Sequence, residues 1–114
     1  ISTLYTSLAY GGSYNGVTVL PREVLDIASS EVSNGVDRIL HRISRFAHGF
    51  QLPIPERGFG PNPDSFGHFG AGGSVGFCDP KAKVGFGYVM NQMGPRWQNP
   101  RNRALIDSLY SSLQ

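Results

Sequence analysis

Leu4, Tyr5 and Leu8 recur at the three- and four-residue spacing of one helix face, and Gly11-Gly12 closes the run, so a helix is predicted over residues 2–10. Tyr14-Asn15-Gly16-Val17-Thr18-Val19 sets an Asn-Gly pair between β-formers, the pattern of a tight hairpin. Pro21 suits the first turn of a second helix, with Val24, Leu25, Ile27 and Ala28 as its buried face and Ser29 at its end. Asn34-Gly35 marks an interruption after this helix. Residues 44–52 alternate as a strand would, with Phe46, His48, Phe50 and Leu52 on one side. Four prolines between residues 53 and 65 mark an exposed connection. A glycine-rich apolar run beginning at Gly67 reads as one strand, Asp79-Pro80-Lys81-Ala82 as a turn, and Val84–Asn91 as a second strand. Together they predict an antiparallel hairpin over roughly 67–92. After the loop 94–99, Pro100 opens a last helix with Ala104, Leu105, Leu109 and Leu113 as its apolar stripe. The fold class is α+β, an antiparallel hairpin flanked by helices.

Composition narrows the function classes. A chain of 114 residues holds one domain. Its net charge of +2 comes mostly from dispersed arginines, and no basic run is interleaved with aromatics, so nucleic acid is not an expected partner. No apolar stretch approaches the length of a membrane span, so no membrane is expected either. Cys78 is the single cysteine, which excludes an internal disulfide and a cysteine-rich zinc site. His41, His48 and His68 lack metal-ligand spacing, and no metal or cofactor is expected. His41 and His48 read as structural residues.

The segment from Gly67 to Gly76 carries five glycines. Glycine weakens a strand unless another backbone or a substrate must come close, so this segment reads as one wall of a site. Gly72-Gly73-Ser74-Val75-Gly76 matches the Gly-x-Ser-x-Gly nucleophile elbow. That motif needs a helix directly after the serine and a histidine later in the chain. Here Val-Gly-Phe-Cys and an Asp-Pro turn come next, and no histidine occurs after His68, so the match is accidental. Gly70-Ala71-Gly72 lacks the Gly-Lys-Ser/Thr ending of a phosphate-binding loop.

The run Phe66-Gly67-His68-Phe69-Gly70-Ala71-Gly72-Gly73-Ser74-Val75-Gly76-Phe77-Cys78-Asp79-Pro80, with Gly85-Phe86-Gly87-Tyr88-Val89-Met90-Asn91 after it, resembles the third motif and adjoining strand of the serine β-lactamase-like superfamily. That group includes class C β-lactamases, D-alanyl-D-alanine carboxypeptidases and family VIII esterases. His68-Phe69-Gly70 would stand for its Lys-Thr-Gly or His-Thr-Gly triplet. Leu4–Ala9, Gly11-Gly12 and Leu20–Val24 are similar to the helix, turn and second helix before the motif, and Ala104–Tyr110 resembles the closing helix.

The resemblance implies a partial β-lactamase/transpeptidase-like fold and an acyl-enzyme reaction on a small-molecule ester or amide. It assigns a charge-orienting role to His68 and a backbone oxyanion donor to Ala71, with Phe69, Gly70, Gly72 and Gly73 lining the substrate. Phe69 lacks the hydroxyl of the usual threonine, which favours neutral esters over β-lactams. No serine here is followed three residues later by lysine, and no Tyr-x-Asn triplet occurs. The chain is therefore expected to be the C-terminal portion of such an enzyme. Its partner would be the missing N-terminal part of the same protein, or another copy through self-association. A competing expectation is a non-catalytic interaction or scaffold module on the same fold.

Overall fold

The computed structural model describes residues 1–114. Helix α1 (Ser2–Ala9) ends as its glycines predict. The Gly12 N–H donates to Ser7 O at 2.8 Å and the Gly11 N–H to Leu8 O at 3.0 Å, a Schellman cap with Gly11 at φ +84°. A small hairpin follows, β1 (Ser13–Tyr14) with β2 (Val17–Thr18), turned at Asn15-Gly16 as expected. Helix α2 (Arg22–Ala28) starts after Pro21, but only Leu25 is buried. Val24 is 42% exposed and Ile27 62% exposed, so the predicted apolar face is uncovered.

Strand β3 (Glu31–Asp37) pairs antiparallel with β4 (Arg42–Ala47). The interruption expected at Asn34-Gly35 does not occur; the strand runs through it. Nothing in the residue pattern announces β3, because it is an edge strand exposed along almost its whole length. The predicted strand 44–52 stops at Ala47 because Gly49, at φ +115°, turns the chain. Gln51 then pairs on one side with Phe46 and on the other with Gly67, joining the β3–β4 hairpin to the rest of the sheet.

The glycine-rich run is two strands rather than one. Strand β5 (Phe66–Phe69) and β6 (Val75–Asp79) lie antiparallel, separated by one 3-10 turn (Ala71–Gly73), and β7 (Val84–Tyr88) completes the order β5-β6-β7. Gly72 at φ +83° and Gly73 at φ +109° make this reversal possible. The expected two-stranded hairpin is thus a three-stranded meander, within the α+β class that was expected.

Each face of the meander has its own core. On one side Phe66 and Cys78 pack with Leu8, Ala9, Leu25, Ala47 and Leu52. Gly76, Gly85 and Gly87 let α1 lie flush on this face: an added Cβ would overlap the Tyr5 ring, the Thr6 backbone, and Ile1 with Ser2, respectively. These glycines serve helix packing rather than substrate approach. On the other side Phe69, Val75 and Phe77 pack with Phe59 and with Ile106 of helix α3 (Pro100–Ser112). Phe59 is stacked on Phe69 at 4.9 Å and on Phe77 at 5.3 Å. The connection 53–65 is therefore not simply exposed, since Ile54, Phe59 and Ser65 are buried.

The α3 stripe also differs from expectation. Asn102 and Ile106 are fully buried and Leu109 packs beside Ile106 as expected, whereas Leu105 is 42% and Leu113 54% exposed. The Asp79 turn stands where the sequence places it and is anchored more deeply than its residues show. Its buried carboxylate accepts from Lys81 N–H at 3.0 Å, Ala82 N–H at 2.9 Å, Asn62 Nδ2 at 2.6 Å and the Tyr110 hydroxyl at 2.6 Å. One side chain thereby ties the β6–β7 turn to the proline-rich connection and to α3. Burial, reinforced by the bond to Asp79, pushes the Tyr110 hydroxyl well above the usual tyrosine range. No helix is long and apolar enough to cross a membrane.

Candidate active site

Pleat alternation sorts the residues at the end of β5. His68 lies opposite Gly76 and is exposed, on the sheet face that carries α1. Phe69 points the other way and is only 3% exposed within the aromatic cluster. Any contact it makes with a substrate is through its backbone or ring edge. The His68 Nδ1 lies 2.6 Å from Phe69 O. A carbonyl only accepts, so Nδ1 is the donor in this contact. The Phe46 ring, with its centroid 6.0 Å away, flanks the imidazole.

Two bonds close the turn beyond β5: the Gly70 N–H donates to Ser74 O at 2.7 Å, and the Gly73 N–H to Gly70 O at 3.1 Å. Neither uses the Ala71 N–H, and Ala71 is exposed. The next two peptide units are fixed from below. Gly72 O accepts from the Gly94 N–H at 2.8 Å and from Asn99 Nδ2 at 3.2 Å, while Gly73 O accepts from Asn102 Nδ2 at 3.0 Å. Both asparagines belong to the capping box of α3, in which Asn99 Oδ1 accepts from the Asn102 N–H and Asn102 Oδ1 from the Asn99 N–H. A Cβ on Gly72 would crowd Met93, and one on Gly73 would overlap Asn99. On Gly70 it would overlap the Ser74 hydroxyl. Gly70, Gly72 and Gly73 are thus required by the turn and its packing, and they place Ala71 at its apex.

Ser74 directly precedes β6 and no helix follows it, so the elbow match is accidental in three dimensions too. A cleft of about 670 Å³ opens beside Ala71, walled by Gln51, Phe69, Met93 and Trp97. It shares Ala71, Gln51 and Trp97 with a lobe of about 300 Å³ that reaches His68. The structure therefore brings His68, Phe69, Gly70, Ala71 and Gly72 to one cleft, with Gly73 buried beneath. Sequence reasoning missed Gln51, Trp97, Asn99 and Asn102. Asn99-Pro100-x-Asn102 was legible as a helix cap, but its grip on a turn 27 residues earlier was not. No group of three or more His, Cys, Asp or Glu side chains is placed to hold a metal ion.

The turn thus presents an unspent N–H, with a histidine beside it and a walled cleft in front. The chain belongs to the beta-lactamase family, whose model matches residues 1–111. It is 33% identical over 95 residues to the esterase/beta-lactamase LipL of Mycobacterium tuberculosis, covering 82% of this chain and 21% of that protein. Among solved structures it is similar to a family VIII carboxylesterase, with a TM-score of 0.88 and 38% identity over 96% of this chain. It is also similar to a penicillin-binding protein homolog from Caulobacter crescentus, with a TM-score of 0.90 and 34% identity over 97% of this chain. In both cases it spans 30% of the solved chain.

Proposed function

We propose that this chain is the oxyanion-side portion of a serine hydrolase that cleaves esters or amides through an acyl-enzyme. The observation that carries the reading is the clamped turn: an exposed, unspent Ala71 N–H at the end of β5, beside His68, with the two following carbonyls held by buried asparagines. A serine elsewhere in the complete protein attacks the carbonyl carbon, and the carbonyl π electrons move onto oxygen. The Ala71 N–H and a second backbone N–H receive that negative charge. Collapse of the intermediate expels the alkoxide or amine, which takes up the proton removed from serine. Water then attacks the acyl-enzyme and releases the acid. A pre-aimed donor needs no reorganisation as charge develops, and one such donor is worth about 10²–10³ in kcat. His68 stands where its ring can steady charge on the groups that manage the serine proton.

The test is Ala71→Pro in the full-length protein, which deletes the donor. Its kcat should fall by about 10²–10³, while Ala71→Gly keeps the N–H and stays near wild type. A substrate analogue without a reacting carbonyl serves as the control for folding. Retained analogue binding with collapsed kcat supports the donor role, and unchanged kcat removes Ala71 from the mechanism.

A further inference from the structure

Charge around the Ala71 turn is one-sided. Arg42 and Arg57 line both lobes of the cleft and Arg96 lines the larger, and neither lobe has an Asp or Glu in its wall. The salt bridges of the chain join Arg22 to Asp26, Arg45 to Glu31 and Arg103 to Asp107, and none includes these three guanidiniums. The carboxylate that acts on Arg42 is that of its cross-strand partner Asp37, which lies outside the cleft wall and accepts from the Ile39 and Leu40 N–H groups. The Arg42 guanidinium sits over Trp97, its carbon 3.8 Å from the centre of the ring, and it makes no hydrogen bond within the chain. A guanidinium resting on an aromatic face is partly ordered before any ligand arrives. Arg57 commits Nη2 to Ile43 O and no other donor. Burial, and next the charge of Arg57, hold the Arg42 guanidinium below its ordinary range against the opposing charge of Asp37, and arginine remains cationic at any working pH.

Gln51 adds a neutral donor. The residue is buried, its Oε1 accepts from the Phe69 N–H at 3.3 Å, and its Nε2 has no partner in the chain. Two like charges and a free amide on one cleft repel or stand idle until an anion sits between them. Planar guanidinium forks suit a carboxylate, which accepts two parallel bonds from each.

We propose that this cleft is a subsite for a carboxylate carried by the substrate at its end remote from the scissile carbonyl, with Arg42 and Arg57 as specificity-determining residues and Gln51 Nε2 as an auxiliary donor. The inference rests on the Ala71 N–H being the oxyanion donor, because that turn places the reacting carbonyl next to the cleft. It also revises an expectation from the sequence. Phe69 lacks a hydroxyl for an anion, but arginines on β4 and in the proline-rich connection supply that recognition from a different wall.

The experiment compares, in the full-length protein, mono-4-nitrophenyl glutarate with neutral 4-nitrophenyl pentanoate. Wild type should favour the anionic ester in kcat/KM by about tenfold or more. Arg42→Gln and Arg57→Gln should each bring the anionic-to-neutral ratio towards unity, chiefly through KM, and added salt should compress it. Arg42→Lys should recover part of the preference, and Arg38→Gln, outside the cleft, should leave the ratio alone. Hydrolysis of the neutral ester with no anionic preference, or with a preference that survives both glutamine variants, overturns the subsite and leaves the hydrolase reading standing. Hydrolysis of neither ester defeats the hydrolase reading, and the subsite is then decided by calorimetry with glutarate against glutaramide. Glutarate binding that Arg42→Gln abolishes sustains it, and no glutarate binding overturns it.

Discussion

His68 and Ser74 are six residues apart, and their neighbours give them opposite prospects. The histidine lines the cleft with Nδ1 spent on Phe69 O and Nε2 without a partner in the chain, whereas the serine hydroxyl sits against Gly70 just before a strand. In the full-length protein His68→Ala should lower kcat on the order of 10², and Ser74→Ala should leave most activity intact. Steady-state kinetics on a 4-nitrophenyl ester reads both, and a Ser74→Ala collapse at unchanged fold would revive the elbow. Cys78 makes a second residue-scale case. Burial pushes its thiol up to about 12 from an ordinary 9.0. The folded state therefore keeps the proton where the unfolded chain would lose it. The associated stability is complete below pH about 9 and is lost as pH climbs towards about 12. Urea unfolding of wild type against Cys78→Ala should show a stability difference that declines across that window, and a flat difference would contradict the burial argument. The sequence singled out His68 and the Gly70–Gly73 segment because motif letters are local. It did not tell that Asn99, Asn102, Gln51 and the arginines converge on them, because those meetings depend on how distant segments pack.

Elements whose signals lie within a few residues were legible, and those defined by what covers them were not. The Schellman end of α1, the Asn-Gly hairpin and the Asp79 turn all follow from local backbone chemistry, and each stands where it was expected. Strand β3 was missed because an exposed edge imposes no alternation, and the β5–β6 reversal was missed because Gly70–Gly73 looked continuous with its flanks. The stripe of α3 was misassigned at Ala104, Leu105 and Leu113, which are apolar by type, while the sheet is met by the face carrying Asn102, Ile106 and the correctly placed Leu109. Placement predicts energetics. Ile106→Ala should cost about 2–5 kcal/mol, as a cavity opens among Phe59, Phe69, Val75 and Phe77. Leu105→Ala should stay within about 0.5 kcal/mol. Chemical denaturation of the two variants in the full-length protein checks the assignment, and equal costs would return Leu105 to the core.

At the scale of the whole molecule, the two faces of the meander are covered but the margins are not. Only 24 of 114 residues are buried, although the radius of gyration of 14.0 Å is near the roughly 13 Å of a compact domain this size. The shape is compact, so the shortfall lies in what the surface exposes. Strand β3 presents an open edge whose middle carries neither charge nor proline, and Val32 and Val36 on it are 52% and 71% exposed. Ile39 in the following turn is 86% exposed, Ile43 on β4 is 47%, and Ile27 on α2 is 62%. One register irregularity between Glu31 and Ser33 and an acidic residue at each end are the only protections of the β3 edge. An unpaired edge flanked by branched aliphatics is a template for another chain unless an element covers it. If the chain is the oxyanion-side portion of a hydrolase, the cover is the remainder of a protein of which this chain spans about 30% in its solved relatives. The chain by itself should then self-associate, and it should hydrolyse no 4-nitrophenyl ester above background, because it contains no Ser-x-x-Lys. Co-expression with the remaining polypeptide as a separate chain should yield a one-to-one complex and restore turnover. Sedimentation velocity over a range of concentrations reads the first outcome, and an ester assay on the purified complex reads the second. A concentration-independent monomer that melts in one cooperative step would show that these margins need no partner.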